Sequence, residues 1–251
     1  MILNAGFQDF GKQVWTGDGL DMTFSANYLG HWLLTLLLLK SMDKEAGRIV
    51  LVGSQAHDPQ DERNDSTKAF VDDKFQPFVT DEASFEVIAK GTWSPATEDP
   101  SWRSGYRRYA ASKFFLVSMM HELQRRLDRD PDLNNISILG VDPGTMSTGL
   151  QRHASWFIRV FLFQFIMPLL AWLMPNGGVR TTQRSASDIM HAAFDVGPGL
   201  GQFPKDLYFN GLSTLETSAE SRNVETCEMV WKQTMRYAHF RAEETALVHC
   251  Q

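Results

Sequence analysis

Tyr109 and Lys113 stand four residues apart in Tyr109-Ala110-Ala111-Ser112-Lys113, a spacing that puts a phenol and an ammonium on one face of a helix. A tyrosine of pKa ~10 is a poor acid or base near neutrality, and a cation held beside it favours the phenolate. The pair is therefore a candidate proton-transfer device, expected to work through a lowered Tyr109 pKa. Taken alone the spacing is a weak signal, which a solvated surface pair also satisfies. Ser54 adds a second signal. It closes Arg48-Ile49-Val50-Leu51-Val52-Gly53-Ser54, a short apolar run rich in β-branched residues that suits a strand buried on both faces. Ligands of open α/β sheets bind outside the carboxyl ends of such strands, where a serine hydroxyl can hydrogen-bond a reacting carbonyl oxygen.

The elements that position these groups alternate. Met1-Ile2-Leu3 reads as the end of a buried strand entering a turn, with no basic segment or long apolar stretch of a signal peptide. A helix is expected over Asp21–Met42 and another over about Ser104–Arg129. Ile136–Val141 forms a second buried strand, closed by Asp142-Pro143-Gly144. A helix over about Thr181–Val196, a strand at Asp206–Phe209 and a helix over about Ala219–Arg241 follow. From His57 to about Trp102 the chain is irregular, with four prolines and eight Asp or Glu between Asp58 and Glu82, so 58–102 is expected to be a surface insertion. This alternation predicts an α/β layer fold with a largely parallel sheet.

Composition narrows the function. The 251 residues carry a net charge of −6, the opposite of what phosphate contact needs, so no nucleic-acid partner is expected. Two cysteines, Cys227 and Cys250, exclude a disulfide scaffold, and neither His31 nor His57 has a second ligand at metal-binding spacing. No metal site is expected, and the default compartment is reducing.

Asn4-Ala5-Gly6, Asn27, Ser54, Tyr109 with Lys113, and Pro143-Gly144 with Thr148 resemble, in order, the motifs of the short-chain dehydrogenase/reductase family. The wording around Asn27, Gly53–His57 and Asp206–Phe209 is most similar to its retinol-dehydrogenase-like and fungal members. The resemblance runs from Met1 to about Tyr237. It implies that Tyr109 passes a proton to or from the substrate oxygen, that Lys113 holds the nicotinamide ribose and depresses the Tyr109 pKa, and that Ser54 positions the substrate oxygen. Asn27 would join the proton relay through water. Asn4, Ala5 and Gly6 would lie beside the adenosine, and Pro143, Gly144 and Thr148 around the nicotinamide. The cofactor is NADP or NAD, with NADP favoured. The family's Thr-Gly-x-x-x-Gly-x-Gly turn has no counterpart; Thr16-Gly17-Asp18-Gly19 lacks the spacing and a preceding strand. The fold expected is thus the C-terminal portion of a Rossmann-type doubly wound parallel sheet, without strands 1–3, over residues 1–242, with 243–251 as a tail. Such a chain, taken by itself, is expected to bind a nicotinamide cofactor weakly, to turn over no carbonyl and to be poorly soluble.

Trp156–Met174 is apolar but contains Arg159, Gln164 and Pro168, so it is expected to be part of a substrate lid at about 147–178 that touches a membrane surface, and not a span. An apolar lid implies a lipophilic substrate such as a sterol, retinoid, long-chain carbonyl or polyketide. A cytoplasmic enzyme, peripheral on an intracellular membrane, is the expected setting. In the resembling family the Asn27 and Tyr109 helices build a homodimer interface, and Trp32–Leu39 is expected to pack in the core and at that interface. Two rivals remain: an inactive fragment kept as an interaction module, and a hydrolase using Ser54, which the lack of a Gly-x-Ser-x-Gly elbow weakens.

Overall fold

The computed structural model describes residues 1–146, 166, 178–248 and 250. Its strands form one sheet in the order β1 (Ile2–Leu3), β2 (Arg48–Val52), β3 (Ser137–Asp142), β4 (Leu207–Asn210) and β5 (Ser213–Thr214). The first four are parallel, and β5 turns back on β4. Every residue of β2 and β3 is buried, because helices cover both faces; that is why these strands read as continuous apolar runs. The architecture is the expected one: α/β, with a mostly parallel sheet of partial Rossmann type.

On one face lies α4 (Trp102–Arg129), which starts at an N-cap where Ser101 Oγ accepts from Arg103 N. It is buried nearly all round, between β3 and the Gln55–His57 turn on one side and the helices at residues 22–38 and 224–237 on the other. Those N-terminal helices are α1 (Met22–Phe24) and α2 (Gly30–Leu38), joined by a π-helical turn (Ser25–Leu29). There the N–H of Gly30 reaches back five residues to Ser25 O. The other face carries α5 (Thr182–Phe194), whose Ala192 packs with Val50, Leu139, Val141 and Phe209 in a smaller core.

Three expectations change. The insertion is not a polar loop: it contains α3 (Glu82–Ala89), opened by an Asp81–Ser84 capping box, and it buries Phe70, Phe75, Phe78 and Phe85 against the α4 side of the core. The last helix is two, α6 (Ala219–Arg222) and α7 (Val224–Tyr237), because Asn223 leaves helical geometry and its Oδ1 caps Thr226 N at 2.9 Å. The tail is docked, with Leu247 and Cys250 buried and Cys250 O accepting from Trp231 Nε1 at 2.8 Å. Within the Trp32–Leu39 stripe, Trp32, Leu36 and Leu39 are buried in this chain's own core, Trp32 against Trp231 and Phe240 with ring centroids 5.2 Å away, while Leu34, Leu37 and Leu38 stay exposed. Thr148 and the apolar run 156–174, Ile166 apart, lie outside the described residues.

Candidate active site

The carboxyl end of β2 and the first half of α4 bring three of the expected residues together. Ser54 follows β2, half-buried, and its Oγ accepts from Ala56 N at 3.2 Å, which starts the Gln55–His57 turn. Tyr109 and Lys113 face it from α4, both buried, with the Lys113 ammonium 5.6 Å from the Tyr109 ring centroid. Lys113 Nζ donates to Val52 O at 2.7 Å. Backbone at the end of β2 and side chains on α4 thus form one cluster.

Its electrostatics differ from the expectation in one respect. Burial pushes the Tyr109 phenol up to about 12, against a hydrogen bond from Ser54 that lowers it, and the Asp142 carboxylate adds to the rise. The nearby ammonium does not reverse this, so the phenol is the proton-carrying form at neutral pH. Burial lowers Lys113 to about 8, with Asp142 opposing. Asp142 ends β3 and is held by Arg63 Nη1 at 2.9 Å, from the insertion, while its other oxygen accepts from Gly144 N at 3.0 Å. The insertion also reaches the site through Asn64, whose Oδ1 accepts from Tyr106 Oη at 2.7 Å beside Tyr109.

Asn27 sits on the π-helical turn, fully buried. Both its amide hydrogens are engaged, with Phe7 O at 2.9 Å and Ser112 Oγ at 2.9 Å, and its Oδ1 accepts from Phe7 N at 2.7 Å. The side chain therefore ties the segment after β1 to α4, and its backbone carbonyl, which faces the His31 ring, is what remains for a relay. Asn4, Ala5 and Gly6 follow β1 directly and are exposed. Pro143 and Gly144 follow β3 and are fixed from behind: Ser185 Oγ donates to Pro143 O at 2.6 Å and Arg180 Nη1 to Asp142 O at 3.0 Å. Gly144 has φ +72° and a Cβ there would lie 2.7 Å from Gly178 O, so the turn needs a glycine. These segments all leave the carboxyl ends of parallel strands, where an α/β sheet binds its ligand.

Two residues join this site to which the sequence reading assigned no role there. His57 is buried; its Nδ1 lies 2.7 Å from Ser54 O and its Nε2 accepts from Ser218 N at 3.3 Å. That pairing fixes the Nδ1–H tautomer. Tyr208 of β4 packs beside it, with ring centroids 5.1 Å apart. The signal was faint: a tyrosine in a strand and a histidine after a serine are ordinary until the strands are set side by side. Among the described residues no group of three or more His, Cys, Asp or Glu can hold a metal.

No family model matches the chain. Among curated proteins it is 38% identical over 265 residues to the short-chain dehydrogenase iccH of Talaromyces variabilis, an alignment covering 98% of this chain and 72% of that protein. It is 27% identical over 228 residues to the polyprenol dehydrogenase of Mus musculus and 26% identical over 222 residues to retinol dehydrogenase 13 of Mus musculus, each time over 88% of this chain and 54% of the relative. The chain thus spans about half the length of these last two. Identity at this level across nearly the whole chain, with the Ser54, Tyr109 and Lys113 cluster at the strand ends, makes the protein a member of the short-chain dehydrogenase/reductase family.

Proposed function

We propose that the protein is an NAD(P)-dependent oxidoreductase that interconverts a ketone or aldehyde and an alcohol on a lipophilic small molecule, with NADP favoured as cofactor. The observation that carries this reading is the convergence of Ser54, Tyr109 and Lys113 at the carboxyl end of β2. Lys113 fits a dinucleotide ribose: an ammonium has three donors, and among the described residues Lys113 gives one, to Val52 O. Asn4, Ala5, Gly6, Pro143, Gly144 and Thr148 would line the rest of the cofactor site. The bound dinucleotide supplies or accepts the hydride.

The chain's own residues do the remaining chemistry. Ser54 Oγ donates to the substrate oxygen and orients it toward Tyr109. Tyr109, which burial keeps protonated well above neutral pH, gives its proton to that oxygen as the carbonyl is reduced, and takes it back in the reverse direction. Lys113 holds positive charge beside the phenol, which stabilises the phenolate left behind. The substrate class is drawn from the apolar run 156–174 and from the retinol and polyprenol in the names of the relatives. A cytoplasmic setting with reversible contact to an intracellular membrane goes with it. Met22–Ser41 is long and apolar enough to cross a bilayer, but half of it is buried in this fold and it carries Asn27, which makes it a core helix. A homodimer, if formed, would use the exposed Leu34, Leu37 and Leu38.

The described residues contain no strand, glycine-rich turn and helix of the kind that cradles a pyrophosphate. The test therefore has two arms: the 251-residue chain, and the same chain preceded by a βαβαβ unit bearing that turn. Oxidation of NADPH or NADH is followed with retinoid, sterol and long-chain ketone substrates. Turnover by the extended form that disappears in Tyr109→Phe supports the reading. No oxidation by either form overturns it in favour of an interaction module.

A further inference from the structure

Tyr208 occupies an unusual position for a core tyrosine. It pairs with Gly140 across β3 and β4, and its ring fills the space that two glycines leave. A Cβ on Gly140 would lie 2.3 Å from the Tyr208 ring, and one on Gly53 would lie 2.1 Å from the Tyr208 hydroxyl. Any larger residue at either position would displace the ring. The channel leads the phenol from the middle of β4 to the end of β2, beneath the peptide that joins Gly53 to Ser54. The residue is 2% exposed, and its hydroxyl has no hydrogen bond of ordinary geometry among the described residues, although it faces the Ser54 N–H. A buried phenol without such a partner carries a desolvation cost that phenylalanine would avoid in the same channel.

The other side of Ser54 is also held. His57, fixed as the Nδ1–H tautomer by Ser218 N, donates to Ser54 O, and its ring rests on Tyr208. Ser54 is thereby bracketed, with an imidazole on its carbonyl and a phenol under its N–H.

We infer that Tyr208 is a positioning residue for Ser54: its hydroxyl, guided by Gly53 and Gly140, accepts from the Ser54 N–H and fixes the serine hydroxyl toward Tyr109. The assignment rests on the oxidoreductase reading for its purpose, but its geometry can be tested without turnover.

The experiment compares wild type with Tyr208→Phe in the ¹⁵N-labelled 251-residue chain, reading amide hydrogen exchange at Ser54 and at its neighbour Gly53, whose N–H bonds Val141 O at 2.8 Å. Exchange at Ser54 should accelerate about tenfold while Gly53 stays within about twofold, the signature of one lost bond and an intact strand. Gly53→Ala, which expels the phenol, should accelerate Ser54 with Tyr208 still present. Unchanged exchange at Ser54 in Tyr208→Phe, or equal acceleration at Gly53 and Ser54, overturns the inference, since the second result reports lost packing. In the extended, active form, Tyr208→Phe should lower kcat about tenfold with cofactor and substrate KM unchanged; wild-type kcat in that variant also overturns it. If the exchange result holds and wild type has no turnover, the oxidoreductase reading is what fails.

Discussion

Two polar clusters lie along α4, and they differ in how completely their hydrogen bonds are used. At the N-terminal half, among the described residues, Lys113 donates to one carbonyl and the Tyr208 hydroxyl makes no standard bond, although both are buried. At the C-terminal half, His121 Nδ1 meets Asp206 Oδ1 at 2.6 Å and His121 Nε2 meets Thr217 Oγ1 at 2.8 Å, so both ring nitrogens are engaged. The second cluster lines a cavity of about 250 Å³ with Arg125 and Arg222, yet those cations are paired with Glu122 and Glu216. Twelve residues separate Tyr109 from His121, about 18 Å of helix. Spare hydrogen-bonding capacity in a buried place is costly unless a ligand uses it, whereas a saturated cluster is explained by the fold alone. His121 clasps the entry to β4, where Asp206 has φ +54°, and the segment after β5 onto α4.

The largest effect that separates the two clusters is catalytic. Tyr109→Phe in the extended, cofactor-binding form should lower kcat by ~10²–10⁴-fold with the dissociation constant for NADPH little changed. His121→Phe should leave kcat per folded molecule at the wild-type level. Steady-state kinetics on both variants break the comparison if His121→Phe loses as much rate as Tyr109→Phe.

Stability should divide the molecule differently. Phe85 of the insertion is fully buried and edge-on to Phe24, with centroids 5.7 Å apart, and it lies 5.2 Å from Phe115 of α4. Truncation there should cost ~3–5 kcal/mol, as for other core phenylalanines. Urea unfolding of Phe85→Ala checks it; a loss below ~1 kcal/mol would mean that the insertion is a loop laid on a finished core. His121→Phe should cost less, ~1–3 kcal/mol, by stranding the buried Thr217 hydroxyl. A neutral result in the same urea series would remove the clasp from this account.

The sheet and the cluster of Ser54, Tyr109 and Lys113 were legible because their signals are local. Unbroken apolar runs mark strands covered on both sides, Ser54 and Pro143-Gly144 follow those runs directly, and Tyr109 and Lys113 share one helix face. The insertion was not legible as core. Its aromatic residues at 70, 75, 78 and 85 follow neither a strand nor a helix period, since the first three dock from turns and Phe85 from α3, and eight acids and four prolines dominate its composition. Tyr208 escaped for a related reason. The role inferred for it depends on two glycines, Gly53 just past β2 and Gly140 in β3, and register between strands is not written in any one segment.

A further expected effect is a pH dependence, and it sharpens the contrast by measuring the strain of burying a cation in the first cluster. Lys113 falls from 10.5 to about 8 on folding, chiefly through burial. Between these values the unfolded chain holds the proton and the folded chain releases it. Stability then rises with pH, because the slope follows the extra protons bound by the unfolded state. The window is about pH 8 to 10. Above 10 the raised Tyr109, up to about 12, acts in the opposite sense: the unfolded phenol ionises first, and stability falls. Lys113→Met should therefore be more stable than wild type at pH 7, where it removes a desolvated charge, with the two converging as pH approaches 10. Denaturation midpoints at pH 7, 8, 9 and 10 read this directly. Parallel curves for the two proteins would show that the Lys113 ammonium is compensated in the folded state, and the first cluster would then be as saturated as the second.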